Sequence, residues 1–537
     1  MRFPAAAGWP VPLAAGRLRC KPEPLQVPKI PDIASEANIR YRWIVAVSLL
    51  LSIWLIWLDP LINRDAIIYL RAAEAYLQGG FAASQQVFGR PLLPICMAIV
   101  HQLTGLSLLH AGLLITTLSY AVLCVAFVDT VRVLGGKRSV QLIAAIVILS
   151  HPWINHTRAS IMRDPVYLAL IVLSVREMLL FSRSPSWLGQ LRWIALVTGA
   201  ALFRFEGLFV AALAPLALLF TRNLERPWRY CLQLLLPQLL ICSLLAGGLL
   251  AYHAFNPQAP PLFPGIGLYL ERLSLLPAEF ADIARQSAEP LLAFTSRDDA
   301  TFAGIAALAA VLLLNLCRAL TWPWLLVLLW GARAGIGHRF RRDDLAILFT
   351  YLSIALLYLA VFTAINRFML ERYSVHAVLF LLLLLPFVLS SLWHMGSWRK
   401  YLALALLLGM SADILHSSAR EKMFIIEATR WVAQNTPATA SLATNEQYIA
   451  HFSERDTDWE SLRQRRFQLE SILHTPALWQ HKDYLVVYLK RREEPAWESF
   501  LHSNGLQELR SFEGGRVGRA VVVALDQPGA ITPAPVN

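Results

Sequence analysis

Long runs of apolar residues recur along this chain of 537 residues and leave few folds open to it. A run of about 20 apolar residues crosses the hydrocarbon core of a bilayer as one α-helix. Hydrophobic residues make up 56% of the chain and charged residues only 16%, whereas a soluble domain carries about 25% charged residues. The sequence therefore predicts a polytopic all-α membrane protein.

Basic residues between the apolar runs indicate how the chain is threaded. Cytoplasmic loops carry an excess of Lys and Arg, and about eleven spans place every strongly basic short loop on one side. The net charge of +12 then reflects topology, and a nucleic-acid partner is not expected. The spans are predicted at about 43–58, 106–131, 140–153, 165–183, 193–203, 207–220, 230–252, a segment ending near 330, 345–365, 373–393 and 401–415. A surface helix is expected at 302–317, and a long outer loop before it.

Three regions follow from this topology. Residues 1–42, rich in Pro, Ala and Arg, are expected to be a disordered basic cytoplasmic tail. Residues 43–416 form the transmembrane domain, and 417–537 an extracytoplasmic α/β domain with strands near 440–443, 484–489 and 519–525 and helices at 424–432, 459–472 and 495–502. No cleavage pattern follows the first apolar run, so a retained span is expected. The cysteines lack CxxC spacing, which predicts neither disulfides nor zinc.

The first outer loop, residues 59–105, carries an unusual concentration of charge. Apolar residues at helical spacing predict an amphipathic surface helix at 65–78, with Asn63 and Asp65 as capping groups and Gly79-Gly80 as its end. The segment 91–104 predicts a second surface helix. The loop is therefore expected to lie on the outer membrane surface.

Polar residues also gather at the outer ends of other spans, where ionisable groups are functional candidates. Each has a structural alternative: Asp65 and Asp164 as helix caps, Arg90 as a headgroup contact, Arg204 and Glu206 as a mutual pair, and Arg372-Tyr373 as an interfacial anchor. The full set is Asp59, Asp65, Arg90, His151, His156, Arg163, Asp164, Arg204, Glu206, Glu371, Arg372 and Tyr373.

These motifs, in this order and on one side of the membrane, resemble a known family. The segments Asp65-Ala-Ile-Ile-Tyr69, Gly79-Gly80 and Gly89-Arg90-Pro91 are similar to the first outer loop of the GT-C glycosyltransferases. The likeness extends to Arg163-Asp164-Pro165, Arg204-Phe-Glu-Gly207, Glu371-Arg372-Tyr373 and the C-terminal domain from Trp431. Within the superfamily, the chain most resembles the bacterial aminoarabinose transferase and protein O-mannosyltransferase group.

The resemblance implies roles for particular residues. Asp65 falls at the catalytic base and Asp164 at a second catalytic carboxylate, while Arg90 falls at the position that contacts the lipid phosphate. Relatives often carry an arginine where this chain has Ile68, so another cation, such as Arg372, would share the phosphate. Tyr69, Arg204, Glu206 and Tyr373 are further candidates for substrate binding. No cofactor is firmly implied and no metal site is assigned, although Asp59 and Asp65 leave a divalent metal open.

The implied reaction moves a sugar from a polyprenyl phosphate to an extracytoplasmic acceptor, which could be lipid A or another glycolipid, a glycan or a protein. Arginine neutralises the leaving phosphate, and one carboxylate removes the acceptor proton as the hydroxyl attacks C1, which inverts its configuration. The expected location is the cell membrane, inner or plasma, with the bilayer as a partner and the N-terminus in the cytoplasm. A membrane transporter or lipid flippase is the alternative, and a catalytically silent assembly subunit a third possibility.

Overall fold

A computed structural model describes residues 39–255, 264–288, 299–395, 397–413 and 422–525 of the chain. These segments are mostly helical, with one four-stranded sheet near the C-terminus. Residues 1–38 of the predicted tail, 1–42, lie outside the described residues. The first helix begins at Tyr41, within the predicted tail.

Seventeen α-helices and two 3₁₀ helices precede the sheet domain among the described residues. They are α1 (Tyr41–Leu58), α2 (Arg64–Val87), α3 (Leu92–Thr104), α4 (Leu108–Val133), α5 (Arg138–Ser150), α6 (Pro152–Asn155), α7 (Asp164–Arg183), α8 (Trp187–Phe203), α9 (Glu206–Leu213), the 3₁₀ helix Ala214–Phe220, α10 (Pro227–Phe255), α11 (Pro264–Ala288), α12 (Ala300–Leu320), α13 (Trp322–Arg333), the 3₁₀ helix Ile336–Arg339, α14 (Arg342–Asn366), α15 (Glu371–Leu382), α16 (Leu385–His394) and α17 (Ser397–Asp413).

Six of the described helices are long and apolar enough to cross a membrane: α1, α4, α7, α10, α12 and α14. The pair α15 and α16, bent by 49°, makes a seventh if it forms one broken span. Shorter apolar helices occupy 92–104, 138–150, 187–203 and 206–220. By length and composition the structure thus supports a multi-span membrane protein, but the eleven predicted spans are not confirmed.

The structure adds detail to two predictions near the long outer loop. The segment expected as a surface helix at 302–317 lies within α12, a helix of 21 residues that is long and apolar enough to be a candidate span. Thr321, with φ of +68°, then separates α12 from α13. The middle of the predicted loop is the helix α11, and its flanks at 256–263 and 289–298 lie outside the described residues.

The first outer loop folds largely as its periodicity predicts. The amphipathic helix α2 begins at Arg64 and buries Ala66, Tyr69, Leu70 and Ala73, and Gly80 interrupts it with φ of +69°. Gly79 and Gly80 both leave helical geometry, so the first helical segment ends there as predicted, and a second segment continues beyond the kink to Val87. Gly80 suits this position because a left-handed backbone costs glycine no steric clash.

Asn63 does not cap α2 with its side chain, contrary to prediction. Its amide donates to the carbonyl of Ile161 at 3.3 Å, and its side-chain oxygen accepts the Ile161 N–H at 3.1 Å. Asn63 therefore joins the start of α2 to the segment 156–163 between α6 and α7.

A buried arginine fixes the same segment from the other side. Arg158 is fully buried and donates to the hydroxyls of Ser48 and Ser52 in α1, each at 2.9 Å. Its guanidinium also lies 4.6 Å from the ring centroid of Tyr120 in α4. Because a buried cation needs all its donors satisfied, Arg158 holds the segment 156–163 against α1 and α4.

The sheet domain comprises α18 (Met423–Asn435), β1 (Leu442–Thr444), α19 (Gln447–Phe452), α20 (Trp459–Gln464), α21 (Leu469–Leu473), β2 (Tyr484–Leu489), α22 (Glu494–Asn504), β3 (Glu508–Glu513) and β4 (Arg519–Ala524). The strand order is β1-β2-β4-β3, with β1 parallel to β2 and the other pairs antiparallel. The α/β fold and its three predicted strands are found. The helix expected at 459–472 is split, since Arg466 and Phe467 have positive φ.

The sheet domain packs directly on the first outer loop. Ala66 and Leu70 of α2 belong to the same apolar core as Trp459 and Leu485 of the sheet domain. At the edge of this contact, Arg64 donates to the buried carboxylate of Glu446 at 3.0 Å. The start of α2 is thus held between the helical bundle and the sheet domain.

Candidate functional site

Asp65 lies in the first turn of α2 and faces the first turn of α15. Its carboxylate accepts a hydrogen bond from Arg372 at 3.0 Å, and Arg372 also donates to the hydroxyl of Tyr373 at 2.9 Å. The Asp65 side chain is 40% exposed and that of Arg372 35%. An ion pair this exposed contributes at most about 1 kcal/mol, so it orders the two groups more than it stabilises the fold.

A second carboxylate lies at the start of α7 and is held by the turn between α8 and α9. Arg204 donates a hydrogen bond to the carboxylate of Asp164. Its Nε also donates to the carboxylate of Glu206 at 2.9 Å. The pairing of Arg204 with Glu206 confirms the structural alternative for these residues. The guanidinium of Arg204 also lies 5.7 Å from the ring centroid of Tyr167 and 5.8 Å from that of Tyr373.

Tyr69 connects α2 to the Asp164 side of the cluster. Its buried hydroxyl accepts from Nε of Arg163 at 3.1 Å, and the Arg163 guanidinium lies 5.0 Å from the ring centroid of Phe88. Burial raises the pKa of Tyr69; the charge of Arg163 opposes this, whereas those of Asp65 and Asp164 add to it. Both carboxylates therefore lie within electrostatic reach of one phenol.

The structure thus brings together seven of the predicted site residues, from separate helices: Asp65, Tyr69, Asp164, Arg204, Glu206, Arg372 and Tyr373. Arg163 joins them. The sequence placed it among the polar residues at the span ends and in the motif Arg163-Asp164-Pro165, but assigned it no role. Arg90 is exposed in the segment between α2 and α3, and its role at a lipid phosphate stays a prediction.

A cavity of about 990 Å³ lies between the first outer loop, the segment 152–162, the start of α15 and the sheet domain. We call it the interdomain cavity. Arg372 lines it and also contacts Asp65, so it connects the cavity to the carboxylate cluster. The charged and aromatic residues that line it are Asp59, Arg64, Trp153, His156, Glu371, Arg372, Lys422, Glu446, Tyr448, Tyr488 and Lys490.

Asp59 is the carboxylate of the first outer loop that lines this cavity. Burial raises its pKa, and the backbone N–H of Leu61 and the charges of Lys422 and His156 oppose that rise. Among the residues that the structure describes, no group of three or more His, Cys, Asp or Glu side chains could hold a metal ion. The side chains at the site offer carboxylates, guanidinium groups and phenols.

No protein-family model and no curated protein matches the sequence. Among solved structures, ArnT from Cupriavidus metallidurans bound to undecaprenyl phosphate is similar over 91% of this chain and 99% of its own, with a TM-score of 0.53 and 15% identity. Apo ArnT from the same organism gives a TM-score of 0.50 at 14% identity, with the same coverage. Archaeal oligosaccharyltransferase AglB from Archaeoglobus fulgidus gives 0.49 at 11% identity, over 83% of this chain and 69% of its own.

The architecture is therefore that of the solved ArnT structures, which agrees with the fold that the sequence resemblance led us to expect. The chain shares its fold along nearly its whole length with ArnT, whose solved structure contains undecaprenyl phosphate. At 15% identity the likeness concerns the fold alone.

Proposed function

We propose that this protein is an integral-membrane glycosyltransferase that moves a sugar from a polyprenyl phosphate to an acceptor outside the cytoplasm. One observation carries the proposal: Asp65 and Asp164 lie among Arg163, Arg204 and Arg372, beside a large cavity. The undecaprenyl phosphate in the ArnT structure of the same fold supports a lipid-phosphate donor. The location is the cell membrane, with the sheet domain and the interdomain cavity on the outer side.

Asp65 is the proposed general base. The acceptor hydroxyl attacks C1 of the sugar while its proton passes to the Asp65 carboxylate. The bond between C1 and the phosphate oxygen breaks, the electron pair leaves with the phosphate, and the configuration at C1 inverts. Phosphate is a competent leaving group once its growing charge is neutralised, so no general acid is needed.

Arg163 and Arg372 are the proposed partners of the donor phosphate, with Arg90 as the further candidate. Among the described residues, the hydrogen-bond acceptors of Arg163 are the Tyr69 hydroxyl and a backbone carbonyl, both neutral, so its charge is available to an anion. It lies beside Tyr69, next to the position where Ile68 replaces the arginine of relatives. Arg163 thus supplies the cation that the sequence of α2 lacks.

Arg204 and Glu206 have a different proposed role. Arg204 already contacts both Asp164 and the buried Glu206, so its charge is matched before any donor binds. A guanidinium held between two carboxylates fixes the side chain that it contacts. Arg204 therefore positions Asp164, the second carboxylate, towards the sugar.

The interdomain cavity is the proposed acceptor site. Its volume of about 990 Å³ is at the upper end for small-molecule sites, which suits part of an extended acceptor. Tyr448 and Tyr488 of the sheet domain face charged groups of both signs across it. This mixture suits a polar acceptor that carries hydroxyl groups, within the classes of glycolipid, glycan and protein.

The experiment that tests this proposal compares envelope glycans with and without the gene. Glycolipids and glycoproteins of a deletion strain are profiled by mass spectrometry, and the strain is complemented with wild type, Asp65→Asn or Glu460→Gln. Glu460 is an exposed residue of the sheet domain and serves as the control. We expect wild type and Glu460→Gln to restore a missing glycan and Asp65→Asn to fail.

Restoration by Asp65→Asn, at equal protein abundance, would exclude Asp65 as the base. A deletion strain with an unchanged glycan profile and altered uptake or export of a solute would instead support the transporter alternative.

A further inference from the structure

A second recess lies at the end of the bundle opposite to the candidate site. It is a groove of about 600 Å³ between the 3₁₀ helix Ala214–Phe220 and α14. The helix α14 runs from Arg342 at the groove to Asn366 near α15, so its two ends are about 36 Å apart. The lining residues are Leu213, Leu216, Phe220, Arg342, Ala346, Phe349, Thr350, Ser353, Ile354 and Leu357.

Apart from Arg342, Thr350 and Ser353, the walls of this groove are apolar, and they lie on the surface of the bundle. Phe220, Phe349 and Leu357 are exposed large hydrophobic residues, and α14 is long and apolar enough to be a membrane span. The hydroxyl of Thr350 donates to the carbonyl of Ala346 at 2.8 Å, so this polar side chain is satisfied within its own helix. In a bilayer, an apolar recess is filled by hydrocarbon, because an empty one forfeits dispersion contacts.

The dimensions of the groove fit one lipid chain. From Arg342 to Leu357 the groove extends along α14 for about 22 Å. One leaflet contributes about 15 Å of hydrocarbon, half of the bilayer core. An acyl chain that lies along α14 would therefore leave its headgroup at the Arg342 end.

The end of the groove at Arg342 is basic, and the two aspartates at this end already accept hydrogen bonds from neighbouring residues. Asp343 accepts the backbone N–H of Arg222 at 3.1 Å, which fixes the turn after the 3₁₀ helix beside the first turn of α14. Asp344 accepts from Arg183 at 2.7 Å. Both aspartates are buried, whereas Arg222 and Arg342 are exposed. The exposed charge at this end is therefore positive.

We propose that this groove binds an anionic phospholipid, with one acyl chain along α14 and the phosphate between Arg342 and Arg222. Basic pockets between membrane helices bind the headgroups of anionic lipids in this way. The site is separate from the proposed transfer reaction, at the other end of α14. Because the 3₁₀ helix continues α9, which begins at Glu206, the bound lipid braces the segment that leads to the catalytic cluster.

The experiment uses the full chain in detergent, titrated with phosphatidylglycerol or phosphatidylcholine. Native mass spectrometry counts the bound lipids, and tryptophan fluorescence follows thermal unfolding. We expect one tightly held phosphatidylglycerol, together with a rise in Tm that phosphatidylcholine does not produce. Arg342→Gln should weaken this binding about fivefold, since one basic group near the membrane surface contributes about 1 kcal/mol.

Two further variants make the experiment specific. Ser353→Trp should abolish binding, because its ring fills the groove. Arg138→Gln, at an exposed position that begins α5 at the same end of the bundle, should bind like wild type. Equal affinity for both lipids, unchanged affinity in Arg342→Gln, or equal losses in Arg342→Gln and Arg138→Gln would overturn the proposal. If Ser353→Trp fails to fold, the pair of arginine variants still decides.

Discussion

Arg372 donates a hydrogen bond to Asp65 at 3.0 Å, and its side chain also lines the interdomain cavity. The proposed base and a proposed phosphate ligand are therefore in contact before any donor is present. A donor phosphate would compete with Asp65 for this guanidinium. When it succeeds, a carboxylate oxygen becomes free to accept the proton of the acceptor.

Arg372→Ala is expected to lower kcat/KM by about a hundredfold to a thousandfold, the usual effect of removing one donor from a developing anion. Arg372→Lys keeps the charge but cannot contact Asp65 and Tyr373 with one planar group, so it should recover only part of the loss. The measurement is sugar transfer from a synthetic polyprenyl phosphate donor. Arg367→Gln, which alters an exposed ion pair with Glu279, is the control and should match wild type.

Arg163→Gln is expected to raise the KM for the donor at least tenfold, because one charge-assisted bond to phosphate is worth about 1.5 to 3 kcal/mol. Tyr69→Phe removes the hydroxyl that accepts from Arg163 while keeping the ring. It should cost less, about 1 kcal/mol in donor binding. A larger effect in Tyr69→Phe than in Arg163→Gln would contradict the assignment of the phosphate to Arg163.

His451 should make the contact between the sheet domain and α2 sensitive to acid. Burial, and to a smaller extent the nearby charge of Arg71, lower the pKa of His451 to about 4, so the imidazole is neutral although Glu74 lies 3.8 Å away. Unfolded histidine titrates near about 6.5. The unfolded state therefore binds more protons between these values, and stability rises with pH across that window.

The expected loss for the histidine alone is about 2 kcal/mol on going from pH 7 to pH 5. Burial also raises the pKa of Glu74, which favours the folded state at acid pH and partly offsets this loss. The measurement is the Tm of the full chain at both pH values, followed by tryptophan fluorescence. His451→Gln should reduce the difference in Tm between them. An identical difference in His451→Gln would show that another group titrates.

Arg158→Met is expected to destabilise the bundle by about 3 kcal/mol, because it leaves buried hydroxyl groups in α1 without their donor. Arg158→Lys should also destabilise, since an ammonium cannot reach Ser48, Ser52 and Asn155 with one rigid fork. The measurement is the yield and Tm of a fluorescent fusion after solubilisation. Arg399→Gln, an exposed arginine near the start of α17, should leave both unchanged.

Local periodicity allowed much of the fold to be predicted from the sequence. The apolar face of α2, the continuous apolar run of β2 and the paired glycines after residue 78 each specify a local structure that the rest of the chain preserves. The strand β3 was missed because its sequence, ELRSFE, is charged and lies at the sheet edge. Such a segment is a strand only because β4 offers it hydrogen-bond partners.

The site residues could be predicted from the sequence through a family resemblance, but the contacts between them could not be predicted. Arg163 meets Tyr69 across 94 positions and Arg372 meets Asp65 across 307. No local pattern encodes such pairs. The same reason explains why Arg158 was overlooked, and why Lys422, Glu446 and Tyr448 gave no sign that they line a cavity.

The interdomain cavity takes its walls from residue 55 near one end of the chain to residue 490 near the other. During synthesis, the first outer loop would emerge hundreds of residues before the strands that complete the cavity. The apolar face of α2 that packs against the sheet domain therefore stays uncovered until the C-terminal part of the chain has been made. A chain that is truncated before the sheet domain would lack the cavity walls that Glu446, Tyr448 and Tyr488 supply.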